Sequence, residues 1–190
     1  MLVTVDLEPS KNYLFCAYPH GILASGAFAA FATNILDFEK LFPGLESKML
    51  TLTQHFMAPF FREFAYCCGA CSSSAESIEN LLTYKPTSPE DFNKAVILIV
   101  GGAAEALNCK PSTYRIIYNK RRGFIRMALK TGFVFIFNVG APLNIPKITE
   151  PSNQEIDKYH GLFKEKLLEL FETQKYNYLS NPKDINLIIE

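Results

Sequence analysis

The sequence predicts an α/β protein, a mixed and mostly parallel sheet flanked by helices, and three observations lead there. Residues 95–100 (A-V-I-L-I-V) and 132–139 (G-F-V-F-I-F-N-V) are continuously apolar, as strands covered on both faces are. Such short runs alternate with longer segments whose apolar residues recur three and four apart. The chain has 190 residues, of which 48% are hydrophobic, and one domain of that size buries roughly 70% of its unfolded surface. No internal repeat or linker divides it, so residues 1–190 are expected to form a single domain.

The elements follow in order. Residues 12–18, rich in Tyr, Leu and Phe, predict a first strand, closed by Pro19. Residues 22–36 carry no charge; they are too short and too rich in Ala, Gly and Ser for an independent membrane span, and predict a helix buried in a core. Residues 48–53 predict a second strand and 59–68 a short helix with Pro59 at its start. Residues 74–84 predict an amphipathic helix with Ser74 as N-cap, and 85–91 a loop. The apolar strand 95–100 runs straight into Gly101 and Gly102. Residues 114–118 predict a strand, 122–131 a basic amphipathic helix and 132–139 a buried strand. After a connection punctuated by Pro142, Pro146 and Pro151, the spacing of Ile156, Tyr159, Phe163, Leu167, Leu170 and Phe171 predicts a long amphipathic helix over 154–176.

Composition excludes several functions. Charged residues are 20%, aromatics 13%, and nineteen Lys and Arg balance nineteen Asp and Glu. A chain with no positive excess lacks the field that grips nucleic acid. The charge is nevertheless uneven: residues 106–149 hold eight basic side chains and no acid. Such a block suits an anionic ligand or an anionic membrane surface, and is otherwise a solvated face. The five cysteines are odd in number and unlike a secreted disulfide framework, which predicts a reducing compartment. Cys67, Cys68 and Cys71 lack the second pair of ligands that structural zinc needs, so buried thiols, and no metal, are expected. No signal peptide and no clear membrane anchor are read, while the many Phe residues leave interfacial binding open.

Three spots carry candidate chemistry. Tyr18-Pro19-His20-Gly21 falls at a strand-to-helix junction, where α/β sheets place reactive groups. The ordinary pKa of a histidine, about 6.5, lets it take a proton from a hydroxyl at neutral pH, although such a residue is more often structural. Gly101-Gly102-Ala103-Ala104-Glu105 follows a buried strand, with glycines for close backbone approach and one carboxylate behind them. It gains meaning if Glu105 shares a pocket with His20. Finally, Arg122, Arg126 and Lys130 stand four residues apart and would line one helix face, opposite Phe124, Met127 and Ala128. Cations so placed suit phosphate.

Together these boxes resemble the type-2 diacylglycerol and monoacylglycerol acyltransferase family. Its His-Pro-His-Gly, Phe-Pro-Gly, Gly-Gly-x-x-Glu and Arg-x-Gly-Phe-(Lys/Arg) boxes correspond to residues 18–21, Phe42-Pro43-Gly44, residues 101–105 and residues 121–126. Asn12-Tyr13, residues 58–63 and Asp157-x-Tyr159-His160 add to the likeness, which covers nearly the whole chain. Three departures stand out. Tyr18 replaces the box's first histidine, the family's apolar N-terminal segment is absent, and an internal block is missing near residues 137–138.

The resemblance implies a glycerolipid-acyltransferase-like fold and transfer of a fatty acyl group from acyl-CoA to a monoacylglycerol or diacylglycerol hydroxyl. No cofactor is implied beyond acyl-CoA as co-substrate. His20 and Glu105 would be catalytic: His20 deprotonates the hydroxyl for direct attack on the thioester, and Glu105 supports the imidazolium or contacts the glycerol. Tyr18, Pro19, Gly21, Gly101 and Gly102 would contact substrate, backbone N–H groups near the glycines would stabilise the oxyanion, and Lys120, Arg122 and Arg126 would hold CoA phosphates. A His-Asp pair five residues apart, used by related glycerolipid acyltransferases, is excluded because residue 25 is Ser25. The expected partners are glycerolipid and a membrane surface, with homo-oligomers open, at the cytoplasmic face of the endoplasmic reticulum or on lipid droplets. Two alternatives are a catalytically inactive relative that binds lipid or acyl-CoA, and an enzyme acting on a long-chain alcohol or another lipid acceptor.

Overall fold

A computed structural model of the chain describes residues 6–111, 113–132 and 142–190, with the backbone alone of 134–137. Its first half runs β1 (Tyr13–Ala17), α1 (Ser25–Ala27) continuing into a π-helical turn (Phe28–Ala32), α2 (Phe38–Leu41), β2 (Leu45–Thr51), a 3₁₀ turn (Thr53–Met57), α3 (Phe61–Cys67), β3 (Cys71–Ser72) and α4 (Ala75–Leu82). The second half runs β4 (Asn93–Ile99), α5 (Gly102–Leu107), β5 (Tyr114–Ile116), α6 (Gly123–Thr131), β6 (Val134–Phe137), α7 (Asn153–Tyr178) and, after a 3₁₀ turn, β7 (Leu187–Ile189).

Five strands form one sheet in the order β3-β2-β4-β1-β6, and every pairing in it is parallel. The two central strands explain their own composition. In β1 and β4 the even-numbered residues Leu14, Cys16 and Val96 join the core under α4, α6 and α7. The odd-numbered Tyr13, Phe15, Ala95 and Ile97 join a second core with Phe31, Phe38 and Phe42. Side chains alternate across a pleated strand, so a strand with a core on each face must be apolar throughout. Each fully buried Leu or Phe stabilises by about 1.5–3 kcal/mol, so Leu129, Ile125 and Phe163, all at 0% exposure, outweigh the exposed ion pairs, worth about 0–1 kcal/mol each.

The helix cap read from the sequence is observed, and the structure adds a second one. The Ser74 hydroxyl accepts from the Ser77 N–H ahead of α4. Ser152 and Glu155 form a capping box ahead of α7, each side chain taking the other's backbone N–H. The remaining predicted strands and helices end within a few residues of the observed ones. Residues 133 and 138–141, which include part of the predicted strand 132–139 and the far side of the break near 137–138, lie outside the described residues.

Two expectations are corrected. Residues 22–36 do not form one helix: Ala24 sits in the left-handed region (φ 50°), α1 is three residues long, and the π turn ends at Thr33 in an extended conformation. Among residues 22–36 the side chains of Ala30 and Phe31 are buried while Ile22, Leu23 and Ile35 are exposed, so little apolar area repays the cost of helix nucleation. The thiols are not all buried either. Cys16 is, but Cys67 and Cys109 are exposed, because the helix and loop that carry them turn those positions to solvent.

The small parallel pair β5–β7 lies beside the main sheet. It is extended by Glu190, whose N–H donates to the Ile116 carbonyl and whose carbonyl accepts from Tyr118 and Asn119 N–H. Tyr118 is buried, stacks on His160 at 4.1 Å between centroids and donates its hydroxyl to the His160 carbonyl. Residues 114–121 are thus clamped between β7 and α7.

Candidate active site

Parallel strands bring the C-terminal ends of β1 and β4 side by side, with Ala17 in register with Ile99. His20 follows the first and Gly101 the second. Although 85 residues apart, His20 and Glu105 meet: the His20 N–H donates to Glu105 Oε1 at 3.2 Å, and His20 Nε2 lies 3.6 Å from the same oxygen. Both side chains are buried, at 4% and 3% exposure. The second carboxylate oxygen accepts the Ile117 N–H at 3.0 Å, so the clamped segment supplies Glu105's other partner.

The imidazole has a defined polarity. His20 Nε2 lies 3.1 Å from the Gly102 carbonyl, an acceptor, so Nε2 carries the proton and donates. That leaves Nδ1 as the basic nitrogen, and Nδ1 is buried with no hydrogen-bond partner among the described residues. A base whose lone pair is unused and whose other nitrogen is held is arranged to accept a proton. Burial pushes the Glu105 carboxyl above its ordinary range, while the Ile117 N–H, the His20 ring, the His20 N–H and the Arg121 charge offset part of that rise.

Glycine is required twice here. A Cβ on Gly101 would stand 2.0 Å from Glu105 Oε2, so the carboxylate can occupy its place because residue 101 has no side chain. Gly102 has φ +61°, a backbone state that favours glycine, and this conformation accompanies the placement of its carbonyl under His20.

His20 and Gly102 line an apolar cleft of about 720 Å³, whose walls include Ile22, Leu23, Phe28, Leu50, Phe64, Leu98 and Leu107. That volume falls within the ~300–1,000 Å³ of small-molecule sites. His55, its ring bonded to the Thr51 hydroxyl, is a second imidazole on the wall; sequence spacing gave no signal for it. Of the lining residues, Leu23 and Leu107 are 84% and 87% exposed, and Phe60, next in sequence to the lining Phe61, is 90% exposed and held at φ +65°, a strained state for a phenylalanine.

The other sequence-selected residues are placed as follows. Tyr18 is buried in the core under α6, its ring 6.3 Å from that of Tyr118, and burial pushes its phenol up. Pro19 is exposed and Gly21 turns the chain at φ +69°. Lys120, Arg122 and Arg126 are exposed outside the cleft lining, and Arg122 pairs with Asp157 at 2.6 Å. Lys130 pairs with Glu79 and Arg115 with Glu190, so acids from elsewhere in the chain neutralise part of the basic block. The cation that joins the site is Arg121, whose Nη2 donates to the Gly101 carbonyl at 2.9 Å. Helical spacing selected its neighbours because a turn residue placed by tertiary contact has no periodicity. Among the described residues, no three His, Cys, Asp or Glu side chains gather as a metal site requires, and no helix is long and apolar enough to cross a membrane.

A family model described as diacylglycerol acyltransferase matches residues 1–138 and 134–190. Diacylglycerol O-acyltransferase 2 of Danio rerio is 30% identical over 249 residues, covering 99% of this chain and 68% of its own length. Acyl-CoA wax alcohol acyltransferase 2 of Homo sapiens is 31% identical over 249 residues, with 99% and 73% covered. Diacylglycerol O-acyltransferase 2A of Umbelopsis ramanniana is 42% identical over 127 residues, 67% of this chain and 34% of that protein. No solved structure matches significantly.

Proposed function

Since the chain belongs to the diacylglycerol acyltransferase family, we propose that it transfers a fatty acyl group from acyl-CoA to the hydroxyl of a monoacylglycerol or diacylglycerol. The observation that carries this reading is His20 on the wall of an apolar cleft, paired with the buried Glu105 behind it. His20 Nδ1 takes the hydroxyl proton as the oxygen attacks the thioester carbonyl. The developing oxyanion is held by N–H groups of the Gly101–Gly102 turn, a contribution of several kcal/mol at about 3 Å. The tetrahedral carbon then expels the CoA thiolate, which takes the proton back from His20, leaving ester, CoA thiol and a neutral imidazole. No covalent acyl-enzyme and no further cofactor is needed. Through both steps Nε2–H stays on the Gly102 carbonyl, and the Glu105 carboxylate 3.6 Å away stabilises the transient imidazolium. Lys120, Arg122 and Arg126, exposed at the entry to α6, are assigned to CoA phosphates.

Exposed apolar side chains support the setting we propose: Leu23 and Leu107 of the cleft, with Phe60 beside the lining Phe61, enter a lipid surface, so that the acceptor diffuses into the cleft without crossing water. The assigned place is the cytoplasmic face of the endoplasmic reticulum or a lipid droplet.

A second reading is favoured by one observation. Both whole-chain alignments run over 249 residues against 190 in the chain, and the family model matches in two stretches meeting at 134–138. We infer that a block of the relatives is missing after β6, whose C-terminal end lies beside that of β1. A chain lacking that block would bind lipid or acyl-CoA without turnover.

The test is acyl transfer from labelled acyl-CoA in liposomes, offering monoacylglycerol, diacylglycerol and long-chain alcohol together, for the wild type and His20→Ala. Ester that disappears in the variant supports the enzyme and identifies its acceptor. Acyl-CoA binding by a folded wild type that yields no ester supports the second reading.

A further inference from the structure

Arg121 is the cation of this site that the proposed chemistry leaves unused. It lies in the turn between β5 and α6, its backbone N–H bonded to the Tyr118 carbonyl at 2.7 Å. Its Nη2 crosses to the Gly101 carbonyl at 2.9 Å and sits 3.8 Å from the point where a Cβ on Gly102 would be. Among the described residues its Nε is buried with no hydrogen-bond partner, and no carboxylate lies within ion-pair distance of the guanidinium. A partly buried guanidinium normally acquires a carboxylate or several acceptors. Among the described residues this one has a single backbone carbonyl, in the turn that carries Gly102, the acceptor of His20 Nε2, and Glu105.

Resting on the reading of His20 and Glu105 as the acyl-transfer site, we propose that Arg121 is a positioning residue: by holding the Gly101 carbonyl it fixes the β4–α5 turn, and through it the Glu105 carboxylate and the Gly102 carbonyl that orient His20. The geometry is specific to the turn. Glu105 fits because Gly101 has no side chain, so a small rotation of the 101–102 peptides moves the carboxylate and the imidazole's acceptor together. The charge has a separate effect. The titratable and charged groups facing Glu105 are His20 and Tyr18 after β1 and Arg121 from the β5–α6 turn. Of these, Arg121 is a permanent cation that opposes the effect of burial on the carboxyl.

The experiment compares wild type with Arg121→Gln, Arg121→Lys and, as a remote charge control, Lys166→Gln. The first readout needs no turnover: the titration of Glu105, followed by carboxyl-carbon NMR of the glutamate-labelled chain and assigned with Glu105→Gln. We expect its midpoint to move to higher pH in Arg121→Gln, to return toward the wild-type value in Arg121→Lys, and to stay in place in Lys166→Gln. An unmoved midpoint in a folded Arg121→Gln chain overturns the proposal, whether or not the protein transfers acyl groups. The second readout is kinetic. Arg121→Gln is expected to lower kcat by about tenfold or more with KM for acyl-CoA within about twofold, and its acid limb is expected to move to higher pH. A KM increase at constant kcat would instead make Arg121 a CoA-phosphate ligand and overturn the positioning role. A wild type without turnover removes the reading of the site as an acyltransferase and leaves the titration to decide the placement of Glu105.

Discussion

The same two central strands carry a polar cluster at each end, and the clusters differ in what they leave unpaired. At the N-terminal end, Asn12 donates to the Leu82 and Tyr84 carbonyls and accepts the Lys94 N–H. The Lys94 ammonium bonds Glu46 and Asp91 and lies 4.0 Å from the centre of the Tyr84 ring. Burial draws that ammonium down, but the two carboxylates outweigh it and hold it above the ordinary lysine value. At the C-terminal end, His20 Nδ1 and Arg121 Nε are buried without partners among the described residues, and Glu105 is pushed toward its neutral form. A buried polar group left unpaired costs about 1–3 kcal/mol. One cluster therefore stabilises the sheet, and the other holds unsatisfied groups against that cost, as a reactive site does.

Substitutions at the two ends should separate stability from turnover. The largest effect belongs to His20→Ala, expected to lower the initial rate of acyl transfer by about 10²–10⁴-fold with circular dichroism unchanged. Gly101→Ala forces the Glu105 carboxylate out of its place, and a displacement of this size should cost about 10²-fold in rate, measured beside the unaltered acyl-CoA affinity. At the opposite end Asn12→Ala should lose about 2–3 kcal/mol in urea unfolding while the folded fraction keeps its specific activity; a rate loss there would break the distinction.

Glu105→Gln is subtler. A carboxyl whose folded pKa is raised contributes stability that is present below the ordinary glutamate range and is lost as pH rises through the folded value. Thermal melts should therefore show Glu105→Gln as stable as wild type or more so at pH 7, and relatively less stable below about pH 4.5, although it turns over slowly. Phe60→Ser should have the smallest effect, a few-fold loss of partitioning to phosphatidylcholine vesicles in a sedimentation assay, by analogy with one aromatic anchor.

Much of this was legible in the sequence where local chemistry decides. The apolar run of β4, the spacing of Phe163 and Leu167 in α7, and Ser74 as a cap all act within a few residues of themselves. His20 and Glu105 were each selected from their glycine-bounded boxes, and parallel register brings them together. Other features needed tertiary structure. β7 is a three-residue strand that exists through its pairing with Tyr114–Ile116. The helix expected over 22–36 failed because exposed Ile22 and Leu23 serve the cleft rim, not a core. Arg121 carries no such local signal: i, i+4 helical spacing marks Arg122 and Arg126, while the contact of Arg121 with Gly101 spans 20 residues.

The clamp on residues 114–121 gives the far end of the described chain an influence out of proportion to its place. Glu190 holds Ile116, Tyr118 and Asn119 by backbone bonds alone, and from this segment the Ile117 N–H reaches Glu105 and Arg121 reaches Gly101. A change that unpairs β7 from β5 would here be transmitted to the imidazole with no side chain of the cleft altered. Activity lost on substitutions that unpair residues 187–189 from Tyr114–Ile116 would report on Glu105.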